Sequence, residues 1–491
     1  MRRAVPNWFA VTISAVLMHC SQTQAQSVTT YHAAADRSGH YVFPGLTWEK
    51  AAKVHLDPTF AGKVEGNLYA QPLYWQDADN NRRLIVATES NEVYALDATT
   101  GKVVWKKSLG KPVPLSSLLC GNIDPLGITG TPVIDETQAA VYLDAMRDES
   151  AGPQHVIYGL SLADGSILSG FPVNVADALK AAGQTFDPMF QNQRGALLIV
   201  NDTLFIPYGA HYGGCGAYHG WVLGMSLSDP ATIAVWSTRA QGGGIWAPGG
   251  LSSTGTALFA ATGNTIGATT WSDGEAIFRL ATNLDHQTSK HDFFAAANWS
   301  ALDNGDLDLG STGPVPINVT NATGTSQFVL GLGKDGNAYL LSRTNLGGIG
   351  GALVVQGVSS GYIITAPAVW AGTDSTLVAL QATGSNCPPG QSGDLTVLTV
   401  QADPPSLSTT WCASSNGQGA PIVTTLGDGS NPIVWITGAE GDNVLHGFRG
   451  DDGEPLFNSA AMTGLRHFGT ILAANGRLYV AADGRIYAFL P

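Results

Sequence analysis

The chain has 491 residues, with 24 Lys and Arg against 38 Asp and Glu and a formal net charge of −14, which excludes the basic footprint of a nucleic-acid-binding surface. Hydrophobic residues make up 44% and charged residues only 13%, so the chain is globular rather than disordered. At this length its core must be modular, and 60 glycines and 25 prolines favour many short strands joined by tight turns.

The N-terminus reads as a secretory signal. Arg2 and Arg3 precede an apolar stretch from Trp8 to Met18, and Thr23-Gln24-Ala25 supplies a small-residue cleavage site. The stretch is too short for a permanent membrane span. The expected mature product is residues 26–491, exported to the periplasm or the exterior, without membrane insertion. Cys20 raises a lipoprotein alternative, against which Met18 and His19 stand where small residues belong.

Next comes "LTWEKAAKVHLD" (Leu46 to Asp57), which has the character of an outer strand. It is followed by "VYALDATTGKVVW" (Val93 to Trp105): a strand, a turn from Asp97 to Gly101, and a second strand ending in Trp. Degraded copies follow as "VIYGLSLADGSI", "GWVLGMSLSDPATIAVW", "AIFRLATNLD", "NAYLLSRTNLG", "LTVLTVQADPPSLSTTW", "VLHGFRGDDGEPLF" and "RIYAFLP", eight in all. Each is preceded by two apolar strands, the first often opened by a small residue and Pro, as in "AQPLYW", "TGTPVID" and "TAPAVW". Four short strands in meander order cannot bury both faces alone; packed radially, eight such units can. The last unit stops after three strands, so Leu46 to Asp57 is expected to complete it and remove the open edge. The prediction is an all-β, eight-bladed propeller with Trp105 docked between blades. The one helix expected is Val175 to Ala182.

After the signal, four cysteines remain: Cys120, Cys215, Cys387 and Cys412. In an exported chain they suggest two disulfides with three allowed connectivities. The favoured one pairs Cys387 with Cys412 inside a repeat and Cys120 with Cys215 between neighbouring repeats, the alternative being buried free thiols.

Several loops stand out for chemistry. "AHYGGCGAYHGW" gathers His211, Tyr212, Cys215, Tyr218, His219 and Trp221 among glycines, and its two imidazoles are candidate ligand contacts. "QNQRG" and "RHFGT" open inner strands, which places Arg194 and His467 near the central opening of a propeller, as anion or substrate contacts or as lining for a water-filled channel. The N-x-S/T sequons at Asn201, Asn298, Asn318 and Asn321 are read as surface loops.

The repeat resembles that of the quinoprotein propellers, which include dehydrogenases using pyrroloquinoline quinone with Ca²⁺ and outer-membrane-assembly scaffolds without a cofactor. Three stretches carry the dehydrogenase likeness. "GGGIWAPGGLSSTGTALFAATGN" puts Trp246 eighteen residues before Asn264; the resemblance implies that Trp246 stacks on the quinone and Asn264 binds the metal. "DNGDLDLGSTGPV" offers Asp306 and Asp308, and the resemblance makes Asp306 the catalytic base at the metal. "LGKDGNAYLLSRTNLGG" matches Lys334 to a quinone-contacting cation. The chain departs from the pattern in having Cys120 alone where the dehydrogenases carry adjacent cysteines, and in lacking their Glu in blade three. The implied function is an exported oxidoreductase of alcohols or sugars; the alternative is a non-catalytic scaffold or recognition propeller. Either would take a small-molecule or glycan ligand at the top of the channel.

Overall fold

The computed structural model describes residues 27–285 and 289–491; the expected signal segment and Cys20 lie outside them. The described strands form eight sheets, each built on a four-stranded antiparallel meander. Blade 1 runs Leu73–Gln76, Arg82–Ala87, Glu92–Asp97 and Val103–Ser108 from inner to outer edge. Blades 2 to 7 follow at 133–174, 198–237, 252–295, 315–357, 368–413 and 422–458, and blade 8 at 471–490.

The ring is closed by His55–Leu56, which pairs antiparallel with Phe489 and Leu490 as the outermost strand of blade 8. Only the end of the expected strand is extended. Trp48–Ala51 is a single helical turn, with the Thr47 side chain capping Lys50 N, because the segment lacks the alternation a strand needs. The helix expected at Val175 to Ala182 spans Val175–Ala181, capped by Asn174.

Side-chain alternation explains why blades stack. Both faces of a blade's middle strands are apolar, and adjacent blades share buried clusters all round the ring: blades 1 and 2, 2 and 3, 3 and 4, 4 and 5, 5 and 6, 6 and 7, and then 7, 8 and 1 together. The repeat's tryptophans fasten these joints. Trp105 Nε1 donates to Leu162 O of blade 2 at 3.0 Å, and Trp411 Nε1 to Gly450 O of blade 7 at 2.9 Å. The ring of Trp411 lies over Gly453, whose φ is +77° and where a Cβ would sit 2.6 Å from the indole.

The central channel does not run through. Residues 27–43 cross one end of it and bond to the inner strands in turn: Val28 with Tyr74, Ile134 N to Thr29 O, Ser253 N to Ala35 O, Val369 N to Ser38 O, and His40–Val42 parallel to Val423–Thr425. The buried guanidinium of Arg37 donates to Leu251 O at 2.8 Å, Leu197 O at 3.0 Å and Tyr31 O at 3.2 Å. Among the described residues this strap covers one end of the channel, and the cavity described below opens at the other, where inner strands begin. Among the described residues no helix is long and apolar enough to cross a membrane.

Candidate functional site

The open end of the channel is a cavity of about 710 Å³. Its wall comes from two kinds of loop: those entering inner strands (Asn122, Arg194, Trp246, Asp306 and Asp308, Tyr362, His467) and those joining the two middle strands of a blade (His211 to Gly214, Asn264, Lys334, Glu440). Of the residues singled out from sequence, Trp246, Asn264, Asp306, Lys334, Arg194, His211 and His467 all line it. His219 does not. Its Nδ1 faces Thr238 O at 3.1 Å and its ring packs edge-on against Trp221, so it belongs to the joint behind the wall.

The two aspartates of the D-x-D stretch take different positions. Trp299–Gly305 forms a helix that ends on Asp306 in the left-handed conformation, φ 52°, and this turns the Asp306 side chain outward, 77% exposed. Asp308 points in and is 3% exposed. It bonds the Lys334 ammonium directly, and its Oδ1 accepts the backbone N–H of Asn264 at 2.8 Å. Lys334 also reaches Asp306 at 3.3 Å, and its own backbone N–H donates to Asp308 O at 3.1 Å. Burial disfavours the ammonium, but Asp308 and Asp306 outweigh it and hold the lysine pKa above its ordinary value.

Trp246 forms the aromatic floor. Lys334 Nζ lies 5.2 Å from its ring centroid and the Arg194 guanidinium 6.0 Å. Arg194 makes no hydrogen bond or ion pair among the described residues; burial lowers its pKa, against the fields of Tyr69 and Glu89. A Cβ on Gly263 would stand 2.6 Å from Asp308 Oδ1 and 3.1 Å from Trp246 Nε1, so that glycine lets indole and carboxylate approach. His211 is buried with Nε2 unpartnered. Burial, with the positive fields of His155 and Arg194, pushes it down to about 4, which leaves it neutral. Tyr218 is pushed up to about 12 by burial and by Asp308.

At the far wall His467 Nδ1 meets Glu440 Oε1 at 2.7 Å. Glu440 escaped the sequence reading, although it stands at the end of a second strand ("WITGAE") much as Asn264 does in "AATGN". The rim carries Tyr212 and Tyr362, 65% and 62% exposed. Both expected disulfides are present, Cys120–Cys215 with Cα atoms 6.1 Å apart and Cys387–Cys412 at 5.7 Å. The first ties the loop before Asn122 to the Gly213-Gly214 stretch of the rim, and it removes Cys215 as a ligand.

The donor set decides which bound groups the cavity fits. Ca²⁺ takes six to eight oxygens, whereas Asp308 is committed to Lys334 and Asn264 N–H, and Asp303 to the Thr265 backbone. Among the described residues no group of three or more His, Cys, Asp or Glu could hold a metal. The Ca²⁺ expected at Asn264 and Asp306 does not fit. A planar anion does: one aromatic face, two cations over it, and an open mouth.

Residues 48–168 match a family described as outer membrane protein assembly factor BamB. Among solved structures, the quinohemoprotein alcohol dehydrogenase from Comamonas testosteroni superposes with a TM-score of 0.66 at 15% identity, over 94% of this chain and 80% of that one. The fold is that of the quinoprotein propellers. A europium-containing methanol dehydrogenase gives 0.62 at 12% identity, over 94% and 90%. BamB from Moraxella catarrhalis gives 0.53 at 14%, over 88% and 99%. No curated protein sequence matches the chain. At these identities the quinoprotein likeness is one of fold, and chemistry must be argued from the cavity.

Proposed function

We propose that the cavity holds a planar, carboxylated quinone of the pyrroloquinoline quinone class and that this quinoprotein-like propeller is an exported oxidoreductase of alcohols or sugars. The observation that carries the reading is Trp246 with Lys334 and Arg194 both over its ring. An indole face stacks a flat ligand, and two cations desolvated by the wall attract its negative charge more strongly than they would in water. Such a quinone, when bound, takes up the hydride equivalent released by an alcohol carbon.

The chain's own residues divide the remaining work. Lys334, with an ammonium N–H turned to the cavity, polarises a ligand oxygen above Trp246. Asp308 fixes that ammonium. Asp306 lines the cavity with Lys334 as its ion-pair partner and otherwise faces the opening, so it can accept the proton of a substrate hydroxyl. Exposed Tyr212 and Tyr362 line the mouth through which a ligand would enter.

The test is reconstitution with pyrroloquinoline quinone, followed by Trp fluorescence and dye reduction with an alcohol or sugar. Asp306→Asn should keep quinone binding and lose about 10²- to 10⁴-fold in turnover; unchanged turnover would remove Asp306 from the mechanism. The match of residues 48–168 to the assembly-factor family favours a second reading, a binding propeller without turnover. Co-purification of a glycan or protein partner, with no fluorescence response to quinone, would establish it instead.

A further inference from the structure

We infer that the Lys334 ammonium takes the place of a divalent cation in this cavity, so that the site binds its planar anion without metal. The ligand arm of this inference rests on the reading of the cavity as a quinone site; the metal arm rests on the geometry alone.

The ammonium bridges two carboxylates two residues apart, bonding Asp308 and standing 3.3 Å from Asp306. It is held there from both sides. The Lys334 side chain is only 14% exposed, and its backbone N–H is tied to Asp308 O. A hard cation at this point would have to displace it. The oxygens then on offer would be few: Asn264 Oδ1, Asp306, and an Asp308 whose Oδ1 already accepts the Asn264 N–H. The next carboxylates each hold a backbone N–H, with Glu275 Oε1 left buried and unpartnered. Glu275 Oε2 accepts Leu309 N–H at 2.6 Å, and Asp303 accepts Thr265 N–H at 2.9 Å. Arg194, 6.0 Å from the Trp246 ring centroid, adds a second charge that makes no ion pair among the described residues. Two organic cations thus supply the positive field a metal would supply. Two of the ammonium's three donors face the carboxylates, and the third is free to face the ligand above the indole.

The experiment uses the full mature chain stripped with EGTA. Millimolar Ca²⁺ alone is expected to leave the Tm unchanged, and the quinone Kd, read by Trp fluorescence, to agree within about twofold in EGTA and in Ca²⁺. Lys334→Met should weaken quinone binding by more than about tenfold and create a Ca²⁺-dependent rise in Tm, because Asp308 and Asp306 then lack their cation. A Ca²⁺-induced rise in the wild-type Tm, quinone binding that requires Ca²⁺, or a Lys334→Met protein indifferent to Ca²⁺ would each overturn the inference. If Lys334→Met does not fold, the wild-type Ca²⁺ arm decides by itself. Quinone that binds under neither condition refutes the quinone reading, while Ca²⁺ alone still decides the metal question.

Discussion

Behind the cavity wall, between blades 2 and 3, His155 is the group whose perturbation should cost most. It is 1% exposed, and both its ring nitrogens face acceptors: Nδ1 to Asp144 Oδ1 at 2.7 Å and Nε2 to Gln191 O at 3.0 Å. Satisfying both requires both protons, so His155 is an imidazolium. Burial opposes the charge, but Asp144 and the two bonds outweigh it, and the pKa stands above its ordinary value. Asp144, also 1% exposed, receives the Tyr208 hydroxyl at 2.9 Å on its other oxygen. An amide at position 144 would keep an acceptor but remove the counter-charge. His155 would then either stay charged without a partner or abandon Gln191 O. Breaking a buried pair from one side costs about 3–5 kcal/mol, and Asp144→Asn should show it as a lower urea midpoint at pH 6. The sign of the pH dependence follows from the raised pKa. The stabilisation is fully present below about pH 6.5, the unfolded value, and is lost as pH rises through the higher folded value. Wild-type stability should therefore fall above that point, and the fall should be absent in the variant. Since Gln191 opens the strand that leads to Arg194, the variant should also weaken anion binding at the cavity. A loss below about 1 kcal/mol, or the same pH profile in both proteins, would refute the imidazolium assignment.

Arg37→Met keeps much of the stem but leaves the carbonyls of Leu197, Leu251 and Tyr31 without their donor. We expect a loss on the order of 3 kcal/mol by urea denaturation, with protease cleavage appearing within 27–43. The two disulfides should differ: the Cys120–Cys215 link spans 95 residues and Cys387–Cys412 only 25. Closing a longer loop constrains the unfolded chain more, so replacing the first pair with Ser should lower the Tm further than replacing the second, by roughly 1 kcal/mol in the loop-entropy account.

The ring was legible because its evidence repeats. The apolar strand and polar turn of Val93 to Gly101 recur in degraded form around the chain, and a strand-final Trp recurs at Trp236 and Trp411. Closure was legible too, since three strands at the C-terminus need a fourth. The strap at 27–43 was not. "SVTTYHAAADRSGHYV" has neither alternation nor a repeat partner, and it is buried because the surrounding inner strands offer unpaired carbonyls and N–H groups, a property of the assembled ring rather than of the segment. The helix at Trp299–Gly305 was missed for a related reason: seven residues carry too little periodicity to register. That miss had a consequence at the site, because the helix end decides which aspartate of "DLD" turns inward.

Acidic residues collect at the mouth of this propeller for a structural reason, and that is why function could not be assigned from their presence. The turn between a blade's middle strands must hold the loop that enters the next blade, and a carboxylate does so by accepting that loop's backbone N–H groups. Glu89 accepts Gly127 N, Glu275 accepts Leu309 N, and Asp394 accepts Ser415, Asn416 and Gly417 N. Each bracket stands close to the opening and would look catalytic in a sequence. What separates Asp306 and Asp308 from them is their partner. Asp308 also accepts one backbone N–H, from Asn264, but both aspartates face a side-chain cation over an aromatic ring, and a mobile ligand can share that cation, whereas backbone donors already saturated by a bracket leave nothing to share. The candidate chemistry therefore localises to the quarter of the rim where Lys334 interrupts the bracketing pattern.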